Sequence, residues 1–288
     1  MTHISILLAL IIERVLNQFP CWGQPWLFLR IMRGLQRLSP VWLWRSPLPP
    51  LLVVLVPTAL VWHCVEQIEG PIVELLVSAA LLLLCLGPRD LSGLIRKLMR
   101  ARDQGDSARV AQLSRALQRG PHPGHTHHSF IGALFIQSHE KMFGVLLWFF
   151  VLGPAGAVAY RLVGRIPRYF HDTAADSWAL VTADALHNAM AWLPARATAL
   201  AFSLAGSLDD GLAAWRRLWR EPEHAWRTQT WAVLAEVSAA ALGARTADGA
   251  PVVPASLDAM MREVLRMQAR ALLIILASFV LLTTGSYL

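Results

Sequence analysis

The stretch SHEKMFGVLLWFFVLGPAGAVAYRLVGRIPR, residues 138–168, decides the fold class of this chain. It is apolar from Met142 to Val163 apart from Arg161. About 20 residues of helix cross a hydrocarbon layer of about 30 Å, and this run has that length. Ionisable residues lie at both ends, where long side chains such as Arg161 reach the interface. The stretch therefore predicts a membrane-spanning helix.

Small residues and a proline interrupt the middle of this predicted span at Gly153, Pro154 and Gly156. Proline removes a backbone donor and bends a helix, and glycine lets another backbone approach closely. We therefore predict a hinge at Gly153, Pro154 and Gly156 within a helix bundle. The alternative is that these residues reflect only the higher frequency of Gly and Pro in membrane helices.

Composition also indicates an integral membrane protein, since 55% of residues are hydrophobic and 16% are charged. The 26 Lys and Arg residues exceed the 19 Asp and Glu residues, as in the cytoplasmic loops of a bacterial inner-membrane protein. The arginines stand beside apolar runs and are not gathered in one soluble domain, which argues against nucleic acid as a partner. The cysteines Cys21, Cys64 and Cys85 lie far apart and predict neither a disulfide framework nor a metal site.

Further apolar runs predict an all-α, polytopic helical membrane protein with about 4–6 membrane helices and amphipathic cytoplasmic helices. We predict one membrane domain over residues 1–288, a multi-pass protein whose first partner is the lipid bilayer. The predicted spans are residues 4–16, 48–64, 72–87, 142–163 and 269–287, with 186–206 as a further candidate. The predicted cytoplasmic helical segments are residues 91–118, with two helices joined at Gly105, and 207–268.

The orientation of these spans follows from the distribution of charge. Residues 17–47 and 88–141 are basic, whereas the link at residues 65–71 is acidic. Basic loops face the cytoplasm, so the acidic hairpin and the N-terminus are expected outside. The first apolar run is followed, not preceded, by its charges Glu13 and Arg14, which favours a retained helix over a signal peptide.

Several side chains near the predicted membrane are candidates for a functional site. An unpaired charge there costs on the order of 2.5–3.5 kcal/mol, so we expect at least one carboxylate to pair with an arginine in a shared pocket. The alternative is that each side chain reaches a lipid headgroup separately, with residues 186–206 lying on the membrane. The candidates are Glu13, Glu140, Tyr160, Arg161 and Arg196.

The histidine-rich loop GPHPGHTHH contains weak metal-ligand candidates at His125, His127 and His128. Imidazole binds several transition metals, but this spacing matches no closed zinc pattern. We therefore predict a solvated loop and no metal. Since no phosphate-binding loop, dinucleotide-binding turn, nucleophile elbow or zinc-protease helix occurs in the sequence, we assign no catalytic residue and no cofactor.

Four segments together carry a resemblance to a known membrane family. They are LMRARDQGDSARVAQLSRAL (98–117), HEKMFGVLLWFFVLGPAGAVAYRLV (139–163), DALHNAMAWLPARATALAFSLAG (184–206) and AEVSAAALGA (235–244). In order and spacing the chain resembles the AmpE family of regulatory inner-membrane proteins, which is related to the adenosylcobinamide-phosphate synthase of cobalamin biosynthesis. The resemblance covers nearly the whole chain.

The chain departs from the synthase pattern at polar positions. The synthases resemble one another in an acidic residue before the glycine matched by Gly144, where this chain has Phe143. Their Asn-Thr-Leu-Asp-Ser run is replaced by residues 164–167, GRIP, and their His-x-Ser-Pro-Asn run is missing. The pattern of Glu140, Phe143, Trp148, Gly153-Pro154 and Tyr160-Arg161 instead looks like the AmpE family.

The resemblance implies a regulatory or sensory protein that modulates β-lactamase induction or cell-wall stress signalling, with no catalysis expected. It also implies a candidate partner, a cytoplasmic muropeptide amidase or another protein of cell-wall recycling. Two alternatives stay open. One is a membrane enzyme derived from the synthase fold, amide-forming and nucleotide-using, and the other is a transporter or scaffold.

Overall fold

The computed structural model describes residues 2–16, 26–86, 90–118, 130–220, 226–244, 252 and 257–285. All regular secondary structure in these ranges is helical, which confirms the predicted all-α class. The helices are α1 (Thr2–Leu16), α2 (Trp26–Leu38), α3 (Val41–Trp44), α4 (Leu48–Glu66), α5 (Pro71–Leu86), α6 (Asp90–Asp103), α7 (Ser107–Gln118), α8 (Phe130–Ser138), a π-helical turn (His139–Phe143), α9 (Gly144–Val163), α10 (Ile166–Thr173), α11 (Trp178–Ala205), α12 (Leu208–Arg220), α13 (Trp226–Ala241) and α14 (Leu257–Gly285).

Three helical stretches of the described chain are long and apolar enough to cross a membrane. They are Leu48–Glu66, Phe130–Thr173, which runs from α8 through α10, and Asp258–Thr284. Pro71–Leu86 and Thr230–Ala241 are shorter apolar helices. These findings confirm a helical membrane protein. Crossing by the predicted spans 4–16, 72–87 and 186–206 stays a prediction.

Glycine and proline set several of the helix boundaries. Gly105 has φ 70° between α6 and α7, a left-handed conformation that glycine adopts at little cost. The side chain of Asp106 then caps α7, since its Oδ1 accepts the backbone N–H of Arg109 at 2.9 Å. The predicted pair of helices joined at Gly105 is present as α6 and α7. Their cytoplasmic location stays a prediction.

The first of two compact units comprises Met1–Arg89 and Val145–Met190. In it α1 packs against α5, and α4 packs against both α3 and α5. Its buried cluster combines Met32 of α2, Trp44 of α3 and Val163 of α9 with Tyr169 and Phe170 of α10. The rings of Trp44 and Phe170 have centroids 5.3 Å apart. Aromatic contacts thus fix α10 against the short helix α3.

The second unit comprises Asp90–Gly144 and Ala191–Leu288. Here α13 packs against α8 and α12, α7 packs against α6 and α8, and α14 contacts both α6 and α8. A Cβ atom at Gly211 would collide with the hydroxyl of Ser203, so glycine permits α12 to approach α11 closely. The single membrane domain over residues 1–288 stays a prediction.

Candidate functional site

The π-helical turn His139–Phe143 begins directly after α8. Its backbone accommodates one more residue per hydrogen-bonded ring than an α-helix, and such turns inside helices often occur at functional sites. His139 and Phe143 are fully buried, and Met142 is nearly so. The turn therefore directs two large side chains and one imidazole into the interior of the second unit.

A hydrogen bond joins the imidazole of His139 to α11. His139 Nδ1 lies 3.0 Å from the Oγ1 of Thr198, and both residues are fully buried. The indole ring of Trp231 in α13 meets the imidazole edge to face, with ring centroids 6.3 Å apart. Because a hydrogen bond is electrostatically stronger in a low-dielectric interior, this contact fixes the orientation of the imidazole.

Aromatic rings surround this polar contact. Phe202 of α11 lies edge to face with Phe135 of α8 at 4.7 Å and with Phe143 at 5.2 Å between centroids. All three residues are fully buried. Such pairs contribute about 0.5–1.5 kcal/mol each beyond the area they bury. The ring packing holds the π-helical turn in place together with the hydrogen bond of His139.

Helix α13 brings further polar atoms into the second unit. Thr230 and Ser238 are fully buried, and their hydroxyl oxygens have no hydrogen-bond partner among the described residues. On another side of α13, Glu236 forms an ion pair with Arg217 of α12, with 3.2 Å between Oε2 and Nη2. Sequence reasoning had not selected these residues, and the one available signal was a serine inside the apolar run 235–244.

The predicted hinge coincides with a break in α9. Gly153 has φ 64° and ψ −154°, outside the helical region, so two helical halves meet there. The ring of Pro154 disfavours the helical conformation at the residue before it, and proline is well suited to the first turn of the helix that follows. The dipeptide Gly153-Pro154 therefore ends one helix and starts another.

Gly156 allows the two halves of α9 to bend towards each other. A Cβ atom at Gly156 would collide with the backbone carbonyl oxygen of Trp148 and lie 2.7 Å from the Cβ of Leu152. In a straight helix, eight residues separate two positions by about 12 Å along the axis, so the contact with Trp148 requires a sharp bend. The indole Nε1 of Trp148 donates a hydrogen bond to the backbone oxygen of Met190 at 2.9 Å, which fixes the first half.

The predicted site residues are distributed over both units. Glu13 is 2% exposed in α1, Tyr160 is 1% exposed in α9, and Arg161 is half-buried; these belong to the first unit. Glu140, half-buried in the π-helical turn, and Arg196 belong to the second. Their convergence in one pocket stays a prediction.

Arg196 is held by its own helix. Its guanidinium carbon lies 4.0 Å from the ring centroid of Trp192, one turn earlier in α11. Its Nη1 also donates a hydrogen bond to the backbone oxygen of Trp192 at 3.1 Å. Cation–π contact and hydrogen bond together hold the guanidinium along the helix surface.

No group of three His, Cys, Asp or Glu side chains gathers as a metal site within the described ranges. The candidates His125, His127 and His128 lie in residues 119–129, outside the described residues. The cysteines that the structure describes, Cys64 and Cys85, are free thiols.

Comparison with known proteins gives one family and one curated relative. The model of a family described as "Regulatory signalling modulator protein AmpE" matches residues 1–284. The chain is 28% identical over 264 residues to the "Cobalamin biosynthesis protein CobD" of Chromobacterium violaceum. The aligned region covers 84% of this chain and 80% of that protein. No solved structure matches the chain.

Proposed function

Because this chain belongs to the AmpE family, we propose that it is a regulatory protein of the bacterial inner membrane that modulates β-lactamase induction or cell-wall stress signalling. The family description and the match over residues 1–284 support a regulatory role. The apolar helices support a site of action at the membrane. No catalytic step is part of this proposal.

The observation that carries the proposal is the break at Gly153. Signalling by a conformational change needs two states that an input favours unequally. Gly153 has a backbone conformation almost restricted to glycine, and hinges are a few residues that absorb large changes in φ and ψ. A change of φ and ψ at this one residue would alter the bend of α9 without unfolding either half.

The second half of α9 is placed to pass such a change onward within the first unit. Ala159 and Val163 of α9 belong to the same buried cluster as Ile166 and Phe170 of α10. Packed interiors transmit displacement because they contain little free volume. A different bend at Gly153 would therefore require α10 to repack or to move.

A soluble partner would act through the predicted cytoplasmic segments 91–118 and 207–268, because these are the large surfaces outside the predicted spans. The candidate partner is a cytoplasmic muropeptide amidase or another protein of cell-wall recycling. A pull-down in detergent tests this surface. It compares the full-length protein with a variant in which a polar linker replaces residues 207–220.

Substitution at the break tests the regulatory function. Pro154→Ala restores a backbone donor and relieves the restriction on Gly153, and Gly156→Leu forces the two halves apart. Both variants are expected to change β-lactamase induction, measured with a reporter. An immunoblot checks that the amount of each variant in the membrane stays near the wild-type amount. Pro57→Ala is the matched control, because Pro57 lies inside α4 and this helix continues past it without a break. Induction by this variant should stay at the wild-type level.

The result that would remove the regulatory proposal is a clean deletion strain with unchanged induction and unchanged pools of cell-wall precursors. If the deletion has an effect but Pro154→Ala and Pro57→Ala behave alike, the regulatory role stands and the hinge at Gly153 is wrong. The two experiments therefore separate the function from its proposed mechanism.

An enzymatic function is the second candidate, and the relative named for cobalamin biosynthesis is the observation that favours it. Against it, Phe143 stands where the synthases resemble one another in an acidic residue, and it is fully buried against Phe202. The enzymatic function predicts that Glu140→Gln and Arg161→Ala each abolish turnover of a substrate found by untargeted metabolomics, whatever happens at Pro154. Unaltered metabolite pools in both variants would exclude it.

A further inference from the structure

Helix α2 presents three distinct sides, and the first of them faces the protein. Phe28, Met32 and Gln36 recur at a spacing of four, and Met32 is fully buried. Phe28 lies edge to face with Tyr169, with ring centroids 6.2 Å apart. Tyr169 donates its hydroxyl hydrogen to the Oε1 of Gln36 at 2.9 Å. These contacts fix the rotation of α2 about its axis within the first unit.

The second side of α2 carries three exposed arginines. Arg30, Arg33 and Arg37 are spaced by three and four residues, so they lie on one stripe of the helix. No Asp or Glu occurs from residue 17 to residue 65. Positive charge on this stripe is therefore not neutralised by any acidic side chain of its own segment.

The third side of α2 is apolar and exposed. Ile31, Leu35 and Leu38 are 53%, 40% and 85% exposed, and their spacing of four and three places them on one stripe. At 100° per residue this stripe lies about 130° from the arginine stripe. Val41 and Trp42 of α3, which follow after Ser39 and Pro40, are 76% and 74% exposed. Leaving this much apolar surface in water is unfavourable by about 25 cal/mol per Å².

An arginine stripe opposite an apolar stripe, with tryptophan nearby, is the pattern of a helix that lies in the membrane interface. The first membrane-length helix, α4, begins ten residues after the end of α2, and it also exposes apolar side chains, including Leu52 and Leu55. α3 joins the two and packs against α4. The apolar stripe of α2 therefore belongs to the same unit as a lipid-exposed helix, and acyl chains can cover both.

We propose that Arg30, Arg33 and Arg37 of α2 form a binding site for the headgroup phosphates of anionic phospholipids, with Ile31, Leu35 and Leu38 inserted among the acyl chains. Guanidinium groups bind phosphate through paired N–H···O hydrogen bonds. The apolar stripe favours a lipid over a soluble anion because it must be covered as well. This inference does not depend on the regulatory function and goes beyond it.

One further cation contacts α2 from the same unit. Arg165, which follows α9, has its guanidinium carbon 5.9 Å from the ring centroid of Phe28. It adds positive charge beside α2, on the side of the helix that faces the protein.

Lipid retention by the full-length protein tests the site. Purified protein in detergent is titrated with phosphatidylglycerol or phosphatidylcholine, and bound lipid is counted by native mass spectrometry. Each arginine near an anionic surface contributes a factor of about five in binding. Wild type should therefore prefer phosphatidylglycerol, and Arg30→Gln, Arg33→Gln and Arg37→Gln combined should lower this preference at least about tenfold.

A matched variant separates the site from net charge alone. Arg96→Gln, Arg100→Gln and Arg109→Gln combined remove the same charge from exposed positions of α6 and α7, and the lipid preference should persist. An equal loss in this variant, or no preference in wild type, would overturn the proposal. Should the α2 triple variant not fold, the single Arg→Gln variants give the same comparison with less perturbation, and Arg33→Lys is their charge-preserving control.

Depth measurements test the apolar stripe and distinguish a membrane from a protein partner. The labels are introduced in a background in which Cys21, Cys64 and Cys85 are replaced by alanine, since native thiols would also react. A nitroxide on Leu38→Cys in phosphatidylglycerol nanodiscs should then be relaxed by oxygen, which is concentrated in the acyl region. A nitroxide on Arg37→Cys should be relaxed more by a water-soluble nickel complex. Relaxation of both labels by nickel would show that the stripe lies in water or on a protein and would overturn the lipid site. Stabilisation by inorganic phosphate equal to that by phosphatidylglycerol would do so too.

Discussion

Two of the interruptions of the α-helix in the apolar stretch Phe130–Thr173 are built in opposite ways. The π-helical turn His139–Phe143 is held by side chains, through the hydrogen bond between His139 and Thr198 and the ring contact between Phe143 and Phe202. The break at Gly153 is held by the backbone, and a Cβ atom there would have no neighbour within 4 Å.

This difference determines what each interruption can do. A turn fixed by buried side chains is rigid as long as those contacts persist, since the interior is close-packed. A break fixed by one glycine and one proline depends on local torsion preferences and can change with few contacts broken. The π-helical turn is thus built from side-chain contacts and the break at Gly153 from backbone torsions. Movement at Gly153 stays part of the proposal.

Removal of the Phe143 ring should give the largest effect. Phe143→Ala removes the contact with Phe202 and leaves a cavity, at a cost of about 3–5 kcal/mol in the free energy of unfolding. Thermal unfolding in detergent measures this loss. Val151→Ala is the control, because Val151 is 63% exposed in α9 and should cost much less. Similar losses for both variants would mean that the π-helical turn is not anchored by its side chains.

The two interruptions also differ in how well sequence predicts them. The break was predicted, because proline disfavours the helical conformation at the residue before it and glycine adopts a positive φ at little cost. The π-helical turn was not predicted, although ionisable residues, among them His139 and Glu140, precede the predicted span. One extra residue in a helical ring leaves no periodic signal over five residues, and the turn depends on Thr198 and Trp231, which lie far away in sequence.

The same distinction applies to the charged candidates. Arg196 contacts Trp192, which lies four residues earlier on the same helix, so the sequence spacing alone could have predicted this contact. The ion pair of Arg217 with Glu236 joins two helices, and no local pattern identifies it. Sequence reasoning found the fold class and the break, which depend on composition and local torsions, but not the buried polar contacts of the second unit, which depend on how helices pack.

A methyl group at Gly153 gives the second prediction. Gly153→Ala places a side chain at φ 64° and ψ −154°, and we expect a cost of about 1–3 kcal/mol in the free energy of unfolding from backbone strain alone. Gly34→Ala is the matched control, since Gly34 also has open space around its Cβ position but is in a helix without a positive φ. That substitution should stabilise the protein by about 0.5–1 kcal/mol. Equal shifts in unfolding temperature would contradict a backbone-built break.

Loss of the Thr198 hydroxyl should give the smallest effect and the sharpest test of the π-helical turn. Thr198→Val keeps the shape of the side chain and removes the hydrogen bond to His139 Nδ1. A buried hydrogen bond contributes about 0.5–1.5 kcal/mol net, and a buried group left without its partner costs about 1–3 kcal/mol. We therefore expect a loss of about 1 kcal/mol, well below that of Phe143→Ala, because the aromatic contacts still hold the turn.

Thr198→Ser separates the hydrogen bond from the packing at the same position. It keeps the hydroxyl and removes one methyl group, so the unfolding temperature of this variant should fall because of the lost methyl group. The signal of the His139 imidazole in the NMR spectrum of histidine-labelled protein should stay unchanged. Thr198→Val should change that spectrum, because the imidazole loses its hydrogen bond to Thr198. If the valine variant leaves the spectrum unchanged, the hydrogen bond to Thr198 does not orient the imidazole, and the turn is anchored without a contribution from this contact.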